Sequence, residues 1–104
     1  MSPFESAVGE AVLKYMGKIS NIIKAVEEFA EVQQALCKYL VGPATPEVLA
    51  SVHEELADAS IMLNRMLIVF DPNEVQAWKD NKLEAMAERL GVEVKPCEDR
   101  GHQA

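Results

Sequence analysis

The stretch "HEELADASIMLNRMLIVF", residues 53–70, changes character at Asp58. Before that point Val48, Leu49, Val52 and Leu56, continued by Ala59, recur at the spacing of a single helical stripe. After it Ile61, Met62, Leu63, Met66, Leu67, Ile68, Val69 and Phe70 leave almost no polar side. A helix apolar all round must be covered all round. Four short helices in one chain can hardly do so. The stretch therefore implies an all-α fold in which a second copy of the chain covers this helix, so that subunits join in a four-helix-bundle core, as a homodimer or homotetramer.

The surrounding punctuation supports that reading. "SPFE" places Ser2 at an N-cap, Pro3 at the first helical position and Glu5 at the reciprocal capping-box position. A first helix is expected from Pro3 to about Met16, where Gly17 interrupts. A second follows from about Lys18 to Leu40 and ends at Gly42-Pro43. Thr45 and Pro46 open the third, which runs to Phe70. Asp71, Pro72 and Glu74 open the fourth, which runs to about Leu90 and stops at Gly91. No strand alternation and no internal repeat is visible. One helical domain is expected over residues 1–91, with a polar tail over 92–104.

The second helix carries Ile19, Ile22, Ile23, Val26, Ala30, Leu36, Cys37 and Leu40 at a period of 3.6, with Ala25, Val32 and Tyr39 as a second stripe. Together they widen the apolar arc to roughly half the circumference, more than one contact face needs. Cys37 reads as a small core residue.

Composition bounds the function. The chain has 104 residues, 49% of them hydrophobic and 26% charged, the profile of one globular domain. Its net charge of −7 argues against sequence-independent nucleic-acid binding, which needs clustered Lys and Arg. Cys37 and Cys97 have no metal-ligand spacing and suggest no disulfide framework. "IMLNRMLIVF" is too short to span a bilayer and contains Asn64 and Arg65. The start lacks the apolar segment of a signal peptide. A cytoplasmic protein with no membrane partner is expected.

Two acid triplets sit inside the apolar runs: Glu27, Glu28 and Glu31 in "EEFAE", then Glu54, Glu55 and Asp58 in "EELAD", with 22 residues between. On a helix Glu28 and Glu31 lie about 60° apart and share a face, as do Glu55 and Asp58. The second pair is flanked by Val52, Ala59 and Met62, so it points towards the bundle, whereas Glu27 and Glu54 turn further out. For either triplet alone an ordinary solvated helix face is the bland reading. Two such pairs on neighbouring helices repel each other at low dielectric and persist only if protonated or neutralised by cations. All-oxygen carboxylate ligands suit Mg²⁺ or Mn²⁺ rather than softer metals. A di-iron bundle would need Glu-x-x-His, which neither His53 nor His102 supplies.

EExxE followed after a gap by EExxD resembles the signature of the MazG-like all-α nucleoside triphosphate pyrophosphohydrolases. The resemblance extends over roughly residues 15 to 90 in "IIKAVEEFAEVQQALCKYL" and "HEELADASIMLNRMLIVF". It implies a MazG-like helical subunit with Glu28, Glu31, Glu55 and Asp58 as Mg²⁺ ligands, Mn²⁺ being a possible substitute. Glu27 and Glu54 take supporting or outer positions, and Glu27, Glu28 and Glu31 are the candidates to orient the attacking water. The implied reaction converts a (deoxy)nucleoside triphosphate and water to the monophosphate and pyrophosphate, in a house-cleaning or nucleotide-pool role. In "KLEAMAER", Lys82 and Arg89 stand where the family places groups that meet phosphate or sugar. The Asn of that pattern is replaced by Met86. Trp78 is either a base-stacking residue or a packing anchor.

Two alternatives accompany this reading. Phosphoribosyl-ATP pyrophosphohydrolases share the acid motifs, but "ADASIMLNR" lacks the aromatic-His continuation usual there. A helical dimerisation module without catalysis would use the acids for solubility alone.

Overall fold

A computed structural model describes residues 1–91. The described residues form four α-helices and no strand: α1 (Pro3–Met16), α2 (Lys18–Val41), α3 (Pro46–Val69) and α4 (Pro72–Leu90). The expected all-α architecture is present, with boundaries within one residue of those read from the punctuation. None of these helices is long and apolar enough to cross a membrane. Cys97 and His102 lie outside the described residues. Within the stretch expected as one helical domain, α1–α3 form a compact unit, Met1–Phe70, and a second unit begins at Asp71 and contains α4.

The starts are fixed by their caps. Ser2 Oγ accepts from the Glu5 amide at 3.1 Å and Thr45 Oγ1 from the Val48 amide at 3.2 Å. In both, a side-chain oxygen satisfies an amide that the helix leaves free. Asp71 caps α4 by accepting from the Asn73 amide at 2.9 Å. The Glu5 side chain turns to a different partner from the one its capping-box position suggests. Its Oε2 accepts from Asn64 Nδ2 at 2.9 Å, which ties the start of α1 to α3. A carboxylate offered the side-chain carboxamide N–H of Asn64 gains a charge-assisted bond between α1 and α3.

Within the first unit α2 packs mainly on α3, with α1 laid against both. α2 and α3 run antiparallel, since Glu28 meets Glu55 while Ala35 and Lys38 lie by Val48 and Ser51. α1 runs in the same direction as α3: Glu5 bonds to Asn64, and a Cβ on Gly9 would come within 2.8 Å of Ile68 Cδ1. The inward face of α2 consists of Asn21, Ala25, Glu28 and Ala35, with Val32 half-buried between them. Val52 and Met62 of α3 complete this core. The two alanines and Glu28 share the buried face of α2.

This placement corrects one expectation. Cys37 is exposed, not a core residue. It lies with Ile19, Ile23 and Val26 on the side of α2 turned away from α3, and all three of those are exposed as well. The stripe of Ala25 and Val32, secondary by size, faces the chain's own core; the bulkier stripe does not.

Gly17 joins α1 to α2 with φ 87° and ψ 163°, a conformation reached almost only by glycine. Its carbonyl accepts from buried Asn21 Nδ2 at 2.6 Å, so the turn and the first turn of α2 are locked together. Gly17→Ala meets no atom within 4 Å, and its cost is purely one of backbone strain. We expect a loss of about 1–3 kcal/mol, read as a lower midpoint in chemical denaturation with an unchanged slope. An unchanged midpoint would show that the turn is not held in this conformation.

Candidate metal centre

Antiparallel pairing of α2 and α3 brings the two acid motifs together. Single carboxylate oxygens of Glu28, Glu31 and Glu55 all lie within 4.8 Å of one another, and those of Glu54, Glu55 and Asp58 form a second such group. Glu55 belongs to both. Of the four residues expected as metal ligands, three therefore share one group. Asp58 joins the adjoining group, together with Glu54, which the sequence places further out. Glu27 falls in neither.

The environments of the acids differ. Glu28 is only 7% exposed, Glu55 and Asp58 are half-buried, and Glu31 and Glu54 are open to solvent. Lys24 Nζ pairs with Glu28 Oε1 at 3.1 Å and lies 3.9 Å from Glu27 Oε2. The hydrogen bond and charge of Glu28 raise the Lys24 ammonium above its ordinary pKa, against the opposing effect of burial. Lys24 was not singled out from sequence, although its i,i+4 spacing to Glu28 is the signal for such a pair.

Lys24 satisfies only one oxygen of Glu28. Glu28 Oε2 and Glu55 Oε2 are both buried without a hydrogen-bond partner among the described residues. A buried carboxylate oxygen left unpartnered is costly. These orphaned atoms fit a small divalent cation, which binds carboxylate oxygens at about 2.0–2.1 Å when it is Mg²⁺ and can enter between groups that screen each other from water. The donor set is all oxygen, as hard cations require. The residues present fit Mg²⁺ or Mn²⁺, which Glu28, Glu31 and Glu55 would hold, with Asp58 adjoining.

Burial, then a hydrogen bond shared with Glu31, then the negative charges of Glu31, Asp58 and Glu28 raise the Glu55 carboxyl above its ordinary value. Each cause disfavours the same species, a second or third bare carboxylate in one small space.

The other expected residues lie in the second unit, on α4. Trp78 is 64% exposed, and Lys82 and Arg89 are also exposed; neither base makes an ion pair within 4 Å among the described residues. Among the described residues the carboxylate groups are built by α2 and α3. Arg65 of α3, which the sequence reading did not place in a site, carries a further unpartnered group among the described residues. Its Nε is buried without a partner, while Nη1 donates weakly to Met62 Sδ at 3.6 Å. An Arg inside an apolar run is the signal that marks it.

Comparison of the chain with protein-family profiles, with curated proteins and with solved structures gave no match.

The raised Glu55 carboxyl makes metal-free stability depend on pH with a definite sign. Between the ordinary carboxyl value and the raised folded value, the native state binds more protons than the unfolded one. The stabilising contribution is complete below the ordinary value and is lost as pH rises through the folded one. In chelator, the denaturation midpoint should fall across this window towards neutral pH, and Glu55→Gln should flatten the fall. Saturating Mg²⁺ should oppose it, because a ligand of the deprotonated native state stabilises that state. A midpoint that rises with pH in chelator would contradict this electrostatic account.

Proposed function

We propose that this chain is a Mg²⁺-dependent nucleoside triphosphate pyrophosphohydrolase on a MazG-like helical subunit, releasing a monophosphate and pyrophosphate. The observation that carries the proposal is the convergence of Glu28, Glu31 and Glu55, with buried, unpartnered oxygens on two of them. The motif spacing, EExxE and EExxD on successive antiparallel helices, supports the same reading.

When bound, a divalent cation supplies neutralisation of phosphate charge and a water of lowered pKa. The chain's own residues do the remainder. Glu28 is anchored by Lys24 through Oε1 and keeps Oε2 for the cation. Glu55, shared by the two acid groups, holds their spacing. Glu31 is exposed and belongs to the cluster, so it is the carboxylate best placed to orient the attacking water and accept its proton. Glu27 is exposed, stands outside both acid groups and contributes charge near Lys24. Without a cation the cluster repels a triphosphate, so substrate binding is metal-dependent in this scheme.

The proposal includes a homodimer or homotetramer. Ile19, Ile23, Val26 and Leu40 on α2 and Ile61 and Leu63 on α3 are all exposed in the single chain, Leu40 by 80%. Apolar faces of this extent are characteristic of surfaces that meet another subunit. A two-fold pairing of α2 and α3 with their copies would cover them. Sedimentation at micromolar concentration should give a dimer or larger; a clean monomer would overturn this part.

Hydrolysis of a panel of nucleoside triphosphates with Mg²⁺ in ¹⁸O-labelled water tests the chemistry. The expected products are monophosphate and pyrophosphate in equal amounts, with label in the monophosphate alone. Release of orthophosphate, or label in pyrophosphate, would refute attack at the α-phosphorus. Failure to hydrolyse any member of the panel would favour a non-catalytic helical module.

A further inference from the structure

Arg65 is the one charged side chain in the apolar run from Ile61 to Phe70. No carboxylate oxygen lies within 4 Å of its guanidinium among the described residues. Nη1 donates only to Met62 Sδ, at 3.6 Å, and Nε is buried without a partner there. A half-buried guanidinium in this state is costly, because charge is withdrawn from water with no ion pair to offset it. Glu5 lines a cavity of about 330 Å³ together with Arg65, yet its Oε2 accepts from Asn64 instead. The chain thus holds a positive group in place and supplies no anion for it among the described residues.

Arg65 also lines a larger cavity, of about 450 Å³, inside the unit of α1–α3. That volume lies within the range of about 300–1,000 Å³ usual for small-molecule sites. Val12 and Met16 of α1 give the cavity apolar walls, and Ser20, Asn21 and Lys24 of α2 give it polar ones. Asn21 is buried, and its carboxamide is fixed by donating to the Gly17 carbonyl at 2.6 Å. Lys24 and Arg65 bring two positive charges against Glu27, the one acid of the lining among the described residues. Glu27 Oε2 lies 3.9 Å from Lys24 Nζ, so the ammonium already screens it. Lys24 gives Glu28 Oε1 one bond, at 3.1 Å, and an ammonium has three donors. Ile23 also lines the cavity, but it belongs to the apolar face assigned above to a second subunit and is no part of the site argued here.

We propose that this cavity binds a small organic oxyanion, its phosphate or carboxylate head held by Arg65 and Lys24 and its apolar body laid against Val12 and Met16. A guanidinium presents paired N–H groups in one plane, which match either head. The Ser20 hydroxyl, in the same lining, can add a donor. The site requires neither a divalent cation nor a reaction, and so stands apart from the pyrophosphohydrolase reading. The two meet only through Lys24, which lines the cavity and bonds Glu28 of the carboxylate cluster. The bare cluster opposes a nearby anion, and a cation within it removes that opposition. Mg²⁺ should therefore tighten the anion rather than displace it.

Calorimetric titration of the full-length chain tests the site, in chelator and again in Mg²⁺, with phenyl phosphate, benzoate and inorganic phosphate as probes. One phenyl phosphate or benzoate should bind per chain, the tighter of the two identifying the head. Inorganic phosphate should bind at least about tenfold more weakly, for want of an apolar body. Arg65→Gln should weaken the organic probe about tenfold or more, the usual effect of losing a charge-assisted hydrogen bond, and Arg65→Lys should restore part of the loss. Val12→Ser should weaken the organic probe and leave inorganic phosphate unchanged. Without ligand, Arg65→Met should melt no lower than wild type, because no acid pairs with the guanidinium. A much lower midpoint would make Arg65 a structural group and overturn the site. Lys24→Gln tests the head a second time, should the Arg65 variants fold poorly. No saturable binding of either organic probe at millimolar concentration, equal binding by Arg65→Gln and wild type, or displacement by Mg²⁺ beyond its own complex with the probe would also overturn it. A wild type that hydrolyses triphosphates but binds neither organic probe keeps the activity and loses this site. One that binds them as described without hydrolysis keeps the site and loses the activity.

Discussion

Carboxylates gathered within 4.8 Å of one another repel, and here one of them, Glu28, is 93% removed from solvent. Nothing in the helix propensities of α2 and α3 requires that arrangement. It goes with the packing of the two helices: Ala25 and Ala35 on one and Val52 and Met62 on the other are buried, and acids of both helices come together beside them. The chain relieves part of the repulsion internally, through Lys24 on Glu28 Oε1 and through a Glu55 carboxyl that burial and the neighbouring acids raise above its ordinary value. The oxygens left over, Glu28 Oε2 and Glu55 Oε2, are what a cation would satisfy.

The same packing explains why so much apolar surface is left over. With small residues turned inward, the larger side chains of α2, Ile19, Ile23, Val26 and Leu40, point outward. The inner face makes the acid seam and the outer face offers a contact surface, so the site and the proposed association arise from one choice of helix rotation. In that proposal a second subunit would hold α2 from the opposite side and stiffen the seam against the repulsion it contains.

Much of this was legible in the sequence, because the relevant signals are local. Ser2-Pro3, Thr45-Pro46 and Asp71-Pro72 mark helix starts through the chemistry of free amides, and each is a cap in the structure. Helix periodicity alone put Glu28 beside Glu31 and Glu55 beside Asp58. Periodicity does not say which neighbour covers a face, and there the reading of α2 went astray: the bulky stripe was natural to assign to the core, and Cys37 went with it. Similarly, Glu5 has the spacing of a capping box, but the competing donor, Asn64, is 59 residues away and invisible to any local rule. The joining of Glu54 with Asp58 and Glu55, and the absence of Glu27 from either group, depend on side-chain directions across the α2–α3 seam. Lys24 and Arg65 could have been found, one from its spacing to Glu28 and the other as a lone charge in an apolar run.

The central claim is that Glu28, Glu31 and Glu55 form a divalent-cation site. Anomalous diffraction from crystals equilibrated with Mn²⁺ tests it without reference to any reaction. The account predicts a strong anomalous peak between α2 and α3, bonded to oxygens of Glu28, Glu31 and Glu55 and lost in crystals of Glu55→Gln. An empty seam at saturating Mn²⁺, with the three carboxylates unmoved, would contradict it.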